Sequence, residues 1–140
     1  MNIKEIEEVL ACCLDKEIIE YEMPTKEDWE ELTKVTGKKF CDEFIFFVEL
    51  MSRYSFPGGI YNVSRKGNKN DRIIDVYIRK LENKNWDKNM IPFYGMGHGE
   101  YFCISLYDDK VYYYYADEGD YEEYCEDFSS WIKELPEFLQ

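Results

Sequence analysis

The chain of 140 residues carries a net charge of −13, and 45% of its residues are hydrophobic and 18% aromatic. This composition excludes a disordered acidic tail and predicts a single folded domain, residues 1–140. Residues 100–140 hold 12 acids and 2 bases, whereas bases outnumber acids in residues 53–88. The acidic end disfavours direct binding to nucleic acid or to an anionic membrane. It favours a basic protein partner, with solubility as the alternative explanation of the charge.

The first residues of the chain do not resemble a secretory signal. They lack a basic start followed by a long apolar run, and no stretch of the sequence approaches a membrane span. Five cysteines are an odd number, and the adjacent Cys12 and Cys13 are a poor basis for a disulfide framework. We therefore expect free thiols, mostly buried, in a cytoplasmic protein that does not bind membranes.

Three helices are predicted before residue 55. Apolar residues recur at helical spacing over residues 2–14. Thr25 and Asp28 resemble a capping box at the start of a second helix that ends near Gly37. The third helix is predicted from Cys41 to about Tyr54, where length and periodicity favour a helix over a buried strand for the run FIFFV.

The middle of the chain is predicted to contain turns and two strands. Pro57-Gly58-Gly59 turns the chain after the third helix, and Arg65–Asn70 form a basic loop. The predicted strands are Ile60–Val63 and Ile73–Ile78. Residues 82–89 are polar, with Trp86 as a large apolar anchor.

Residues 100–117, EYFCISLYDDKVYYYYAD, are predicted to form an aromatic hairpin with a tight turn at Asp108 and Asp109. We expect Tyr107 to pair with Lys110, and side-chain alternation then gives the hairpin two faces. The predicted core face contains Phe102, Ile104, Leu106, Val111, Tyr113 and Tyr115. The opposite face contains Tyr101, Cys103, Tyr112 and Tyr114, whose tyrosine rings can be buried while the hydroxyls contact water.

The last predicted elements are an acidic loop from Asp117 to Cys125 and a closing helix. The apolar face of that helix contains Phe128, Trp131, Ile132 and Leu135, before Pro136. The predicted order gives an α+β fold, with N-terminal helices, then an antiparallel sheet with an aromatic hairpin, and a closing C-terminal helix. One contiguous core is expected to include Trp29, Phe44, Phe47, Ile104, Leu106, Val111, Phe128 and Trp131.

Motifs typical of catalysis or of metal binding are weak in this sequence. The run GMGHG at residues 95–99 opens a strand and lacks a following lysine, which favours a flexible connector over a phosphate loop. His98, the only histidine, could act as a base for Cys103, but no basic residue next to Cys103 in the sequence would lower its pKa. The residue spacings match neither a zinc site nor a calcium loop. We therefore predict no catalytic residue, no metal and no cofactor, and a carboxylate pair of glycosidase type is the enzymatic alternative.

Three segments carry a further pattern. They are a helix pair ending in a glycine turn, PTKEDWEELTKVTGKKFCDEFIFFVELMSRYSFPGG; a glycine-rich loop and aromatic hairpin, NMIPFYGMGHGEYFCISLYDDKVYYYYAD; and a closing helix, YCEDFSSWIKEL. In order and spacing, over about residues 24–135, they resemble the SUKH superfamily, the bacterial immunity proteins related to the yeast Smi/Knr cell-wall regulators. The resemblance implies a non-enzymatic protein that binds and neutralises a cognate toxin, often a nuclease. The yeast relatives imply a second role, as signalling or scaffold proteins.

We therefore predict an immunity protein that binds a basic nuclease domain of a toxin and is itself a monomer or a weak homodimer. The predicted partner-binding surface consists of Tyr112, Tyr114, Asp117, Glu118, Asp120, Glu122 and Glu123. A regulatory or scaffold protein without a toxin is the competing class. An enzyme would need a pocket that holds perturbed acids or His98.

Overall fold

A computed structural model describes residues 1–16, 23–56, 59–64 and 72–139 of the chain. The helices are α1 (Ile3–Cys13), α2 (Lys26–Thr36), α3 (Asp42–Leu50), α4 (Ile73–Leu81) and α5 (Phe128–Phe138). The strands are β1 (Asp15–Lys16), β2 (Tyr54–Ser55), β3 (Gly59–Ile60), β4 (Met90–Gly95), β5 (Tyr101–Ser105), β6 (Val111–Tyr115) and β7 (Asp120–Cys125). The predicted turn at Pro57-Gly58 and the predicted basic loop Arg65–Asn70 lie outside the described residues.

The strands from β3 to β7 form one antiparallel sheet in their sequence order, and β1 pairs with β2 in a separate ribbon. The predicted α+β class, with N-terminal helices, an antiparallel sheet and a C-terminal helix, is confirmed. In this order β4, β5 and β6 are inner strands, and β3 and β7 are the two edges.

The predicted start and end of α2 are confirmed. The Asp28 backbone N–H donates to the Thr25 hydroxyl over 3.1 Å, and the Thr25 backbone N–H donates to the Asp28 carboxylate over 2.9 Å. The chain leaves the helix at Gly37, whose φ of 86° lies in the left-handed region that suits glycine. Helix α3 is shorter than predicted and ends at Leu50, because the chain then turns to place Tyr54 and Ser55 in β2.

The predicted strand at Ile73–Ile78 is wrong, because these residues belong to α4. Ile73, Ile74, Val76 and Tyr77 are buried. Asp75 is exposed. Burial at positions i, i+1, i+3 and i+4 is one face of a helix, whereas a strand buries alternate residues. The many β-branched residues favoured a strand, but the spacing of the buried residues is that of a helix.

The predicted acidic loop from Asp117 to Cys125 is also wrong over most of its length. Only residues 116–119 form a turn, and Asp120–Cys125 form β7, which pairs with β6. Charged residues are tolerated on this strand because most of its side chains are exposed, and charged side chains are common on the edge strands of sheets. The closing helix likewise continues past Pro136 to Phe138.

The hairpin of β5 and β6 has the predicted faces in a different register. Ile104 pairs with Val111, and the Ser105 backbone N–H donates to the Lys110 carbonyl over 2.9 Å. Residues 106–109 therefore form the loop, and Asp109 takes a left-handed φ of 59°. The register differs from the prediction by two residues, and side-chain alternation has a period of two, so the two predicted faces stay the same.

One hydrophobic cluster joins the helices to the first face of the sheet. The Trp131 ring of α5 lies 4.9 Å from the ring of Phe93 in β4 and 5.6 Å from that of Phe47 in α3. Of the predicted core, Phe44, Phe47, Ile104, Leu106, Val111, Phe128 and Trp131 are buried in this cluster. Trp29 is partly buried and packs against it.

Leu106 is 6% exposed, although it lies in the hairpin loop, and the adjacent Tyr107 is 66% exposed. We expect Leu106→Ala to lower the free energy of unfolding by about 2–5 kcal/mol, because it leaves a cavity in the core. Tyr107→Ala is the matched control and is expected to change it by less than about 0.5 kcal/mol. Urea unfolding of the two variants measures the difference, and equal effects would contradict the packing of Leu106.

Candidate partner-binding surface

The second face of the sheet carries its own aromatic cluster, centred on Trp86. The Trp86 indole N–H donates to the Met90 carbonyl over 3.0 Å and fixes the ring over the sheet. Its ring lies 4.8 Å from that of Tyr114, 5.4 Å from that of Tyr121 and 6.1 Å from that of Tyr101. This face is therefore partly covered by a single large side chain from the segment after α4.

A lysine at the end of α4 completes this cluster. The Lys80 ammonium lies 4.7 Å from the centroid of the Tyr101 ring and 5.5 Å from that of Trp86. Such cation–π contacts hold aromatic rings in place while the charge stays near water. Tyr114 is thus fixed by its neighbours, and its ring is shared with the Trp86 cluster.

Tyr112 lies at the margin of the same face. It is partly buried, and its hydroxyl donates to the Asp108 carboxylate over 3.0 Å. Burial is the main cause that raises the pKa of Tyr112, and the bond to Asp108 adds to it. The hydroxyl therefore keeps its proton at neutral pH and can donate a hydrogen bond.

The seven predicted partner-binding residues do not lie on one face. The strand pairing places Tyr114 opposite Tyr121 and Tyr112 opposite Glu123, on the Trp86 side of the sheet. Tyr113 is opposite Glu122 and Tyr115 is opposite Asp120, on the helix side. Asp117 and Glu118 occupy the exposed turn between β6 and β7. The structure therefore arranges these residues around one corner of the sheet, on both sides of its outer strand.

Among these acidic residues, Glu123 forms an ion pair. Its carboxylate lies 2.8 Å from the Lys110 ammonium. This hydrogen bond is the largest cause that raises the pKa of Lys110. Asp117, Glu118, Asp120 and Glu122 are exposed and form no ion pair with a described lysine or arginine.

Tyr124 is an exposed aromatic residue of this surface that the sequence analysis did not predict. Its side chain is 46% exposed, yet its ring lies 4.8 Å from the ring of Phe102 in the core. The pairing of β6 with β7 shifts by one residue between Val111 and Tyr112, which leaves Tyr124 as a β-bulge. The run YEEY does not alternate as a regular strand would, and this is the sequence signal that could have indicated an irregular strand here.

The glycine-rich connector between β4 and β5 is fastened to the turn after β6 through Glu100. The carboxylate of Glu100 accepts from the Tyr113 hydroxyl over 2.9 Å and from the Ala116 backbone N–H over 3.3 Å. The His98 imidazole lies 3.5 Å from the same carboxylate. Burial, with the bond to Glu100, raises the pKa of Tyr113 to about 12. His98 and Glu100 therefore belong to a structural contact that holds the turn between β6 and β7.

The thiols differ widely in access to solvent. Cys103 is fully buried in the Trp86 cluster, and burial raises its pKa. Burial also raises the pKa of Cys41 to about 11, whereas Cys12 is exposed. All five cysteines are free. His98 is 72% exposed while Cys103 is fully buried, an arrangement that does not suit a nucleophile and its base.

Carboxylates do line one cavity of 390 Å³, near the hairpin loop, where Glu43, Asp109 and Asp127 contribute to the wall. Glu43 lies 3.6 Å from the N-terminal ammonium, and Asp127 accepts the N-cap hydrogen bond of α5 from Ser130 over 2.7 Å. Two of the three carboxylates thus have structural partners. Within the described ranges no three His, Cys, Asp or Glu side chains are grouped as metal ligands. The helices that the structure describes are all too short or too polar to cross a bilayer.

Comparison with models of known protein families identifies the family to which this chain is related. The family model SUKH_5, described as SMI1-KNR4 cell-wall, matches residues 1–139. The chain belongs to this family. The resemblance that the sequence analysis drew from three segments is confirmed, and the match extends to α1, which those segments did not include. A search of curated proteins finds no significant match to this SUKH chain.

The thiol environments of this SUKH protein predict an order of chemical reactivity. At pH 8 we expect Cys12 to react with an aromatic disulfide reagent at least about tenfold faster than Cys103, because a raised pKa and burial both reduce the accessible thiolate. The measurement is the time course of labelling for the native protein and for Cys12→Ser, which should lose the fast phase, with Cys103→Ser as its control. In denaturant without reductant, the titration should count five thiols, and a count of three or one would reveal disulfides.

Proposed function

We propose that this SUKH protein is an immunity protein that binds a toxin stoichiometrically in the cytoplasm and neutralises it without catalysis. The proposed partner is a basic nuclease domain. The observation that carries the proposal is the acidic corner, which we define as Asp117, Glu118, Asp120 and Glu122 around the turn between β6 and β7. These four carboxylates are exposed and lack a cation partner among the described residues.

The charge of the acidic corner suits a nuclease for a physical reason. Enzymes that bind nucleic acid present basic surfaces, because the phosphate backbone dominates their affinity. An inhibitor with a complementary acidic surface gains a faster encounter and a more selective one. The corner is also held in place, because Glu100 fastens the turn at Ala116 and the Trp86 cluster fixes β6 at Tyr114. A rigid charged surface loses little conformational entropy on binding.

A regulatory or scaffold role in cell-wall synthesis or signalling is the second candidate. It is favoured by the description of the matching family model, which names the cell wall. This role also requires protein binding, so the acidic corner would serve it as well. The two candidates differ in the partner and in the cellular effect of losing the protein.

The deciding experiment uses the toxin domain that the proposal expects to be encoded beside the gene for this chain. We expect cells that express this domain to grow only when the SUKH protein is co-expressed, and the two purified proteins to form a complex of equal stoichiometry that has no nuclease activity. Growth arrest in spite of co-expression, with no complex, would overturn the immunity proposal. A cell-wall defect on deletion of the gene, without a toxin, would support the regulatory role.

The acidic corner predicts how fast the complex forms. Neutralising five acids together, by changing each Asp to Asn and each Glu to Gln at Asp117, Glu118, Asp120, Glu122 and Glu123, should slow association about tenfold or more at low salt and reduce its salt dependence. The matched control removes five exposed acids elsewhere: Glu8, Asp15, Glu27, Glu30 and Glu82. Stopped-flow rates at two salt concentrations compare the variants. Equal slowing by both sets would show an effect of net charge alone and place the interface elsewhere.

Tyr112 predicts how long the complex lasts. Tyr112→Ala should speed dissociation by about tenfold, because partly buried aromatic residues next to charged ones often dominate interface energy. Tyr112→Phe keeps the ring and loses only the bond to Asp108, so it separates packing from hydrogen bonding. Tyr107→Ala is the control on the neighbouring loop. A dissociation rate unchanged by Tyr112→Ala would remove Tyr112 from the interface.

A further inference from the structure

The outer strand β7 has an unpaired edge. It pairs with β6 on one side, and among the strands that the structure describes β6 is its only neighbour. In an antiparallel ladder, alternate residues of an outer strand direct their backbone N–H and C=O groups away from the sheet. The opposite edge, β3, contains only two residues, whereas β7 contains six. Within the described residues, β7 is therefore the longer of the two sheet edges that present unpaired backbone donors and acceptors.

The described residues leave this edge open over most of its length. Asp120, Glu122, Glu123 and Tyr124 are exposed, so both sides of the strand contact water. Only at its end does β7 meet α5, where the buried Cys125 thiol donates to the Glu134 carboxylate over 3.4 Å. A strand of another protein could thus approach residues 120–124 without displacing any described element.

The charge pattern of β7 selects against a second copy of this chain as that strand. If two β7 strands paired antiparallel about Glu122 or about Glu123, that glutamate of one copy would lie opposite the same glutamate of the other. Like charges directly opposite each other in a sheet are destabilising. Acidic edges commonly protect proteins from self-association in this way. The same carboxylates would attract an extended segment that carries lysines or arginines.

We propose that β7 binds an extended basic segment of the partner, which adds to the sheet as a further strand. This inference rests on the proposed function and specifies how the partner docks. Backbone hydrogen bonds along the edge would supply affinity, and side chains on alternate faces would supply specificity. On the helix side, Asp120 and Glu122 lie where they can pair with cations of the added strand. Tyr124 adds an aromatic anchor whose ring is already held against Phe102.

Hydrogen exchange of the complex with the proposed toxin domain tests the proposal. The outward amides of β7 should exchange at least about tenfold more slowly in the complex, because they gain hydrogen bonds that water supplied before. The amides of α2 serve as the internal reference and should not change. A complex that forms without protection of β7 would overturn the added strand and leave the immunity function standing. Failure of the proteins to form any complex would overturn both.

Proline substitution gives a second readout that separates folding from docking. Consecutive residues of β7 direct their N–H groups to opposite sides, so one of Glu122→Pro and Glu123→Pro removes a bond to β6 and the other removes an outward donor. Glu122→Ala and Glu123→Ala are the matched controls for the lost charge. The variant that lost the outward donor is the one whose unfolding temperature equals that of its alanine control. We expect this proline variant to bind the toxin domain at least tenfold more weakly than its alanine control. Equal affinity of that pair would contradict an added strand.

Discussion

The structure depends on a gradient of burial across its sheet. In β5, Cys103 and Ile104 point to opposite faces, and both are completely buried, one under Trp86 and the other in the main cluster. In β7, most side chains are exposed on both faces. Burying an unpaired carboxylate is costly. Acidic residues can therefore accumulate only on the part of the sheet that neither the helices nor Trp86 cover. The apolar end of the sheet therefore fixes the position of the charged end.

The same gradient explains how a small domain can present a rigid charged surface. The outer strand and its turn have little core of their own, but they are joined to buried parts through Glu100, Tyr114 and Tyr124. These contacts keep the acidic corner in place while its carboxylates stay in water. Such a surface suits the binding of a basic protein, which is the role we propose for this member of the SUKH family.

Sequence patterns predicted the parts of the fold that local chemistry dictates. The capping box of Thr25 and Asp28 and the two faces of the hairpin follow from hydrogen bonding and from alternation, which depend on neighbours in the chain. The prediction failed where composition was weighed instead of spacing or pairing. The β-branched residues of α4 favoured a strand although their spacing is helical, and the many acids of β7 favoured a loop although its pairing with β6 makes it a strand. The exposed Tyr124 was missed because a bulge depends on the pairing of two strands. The ion pair of Glu123 with Lys110 was missed because it depends on the pairing of β6 with β7, and β7 was predicted as a loop.

The central claim is that the acidic corner and the edge of β7 bind a basic protein. A crystal structure of this chain with the proposed toxin domain tests that claim most directly. The account predicts an interface of about 1,200–2,000 Å² in total that contains the turn at Asp117 and Glu118 and an added strand along β7. An interface of that size centred on another surface, with β7 still exposed to solvent, would contradict it.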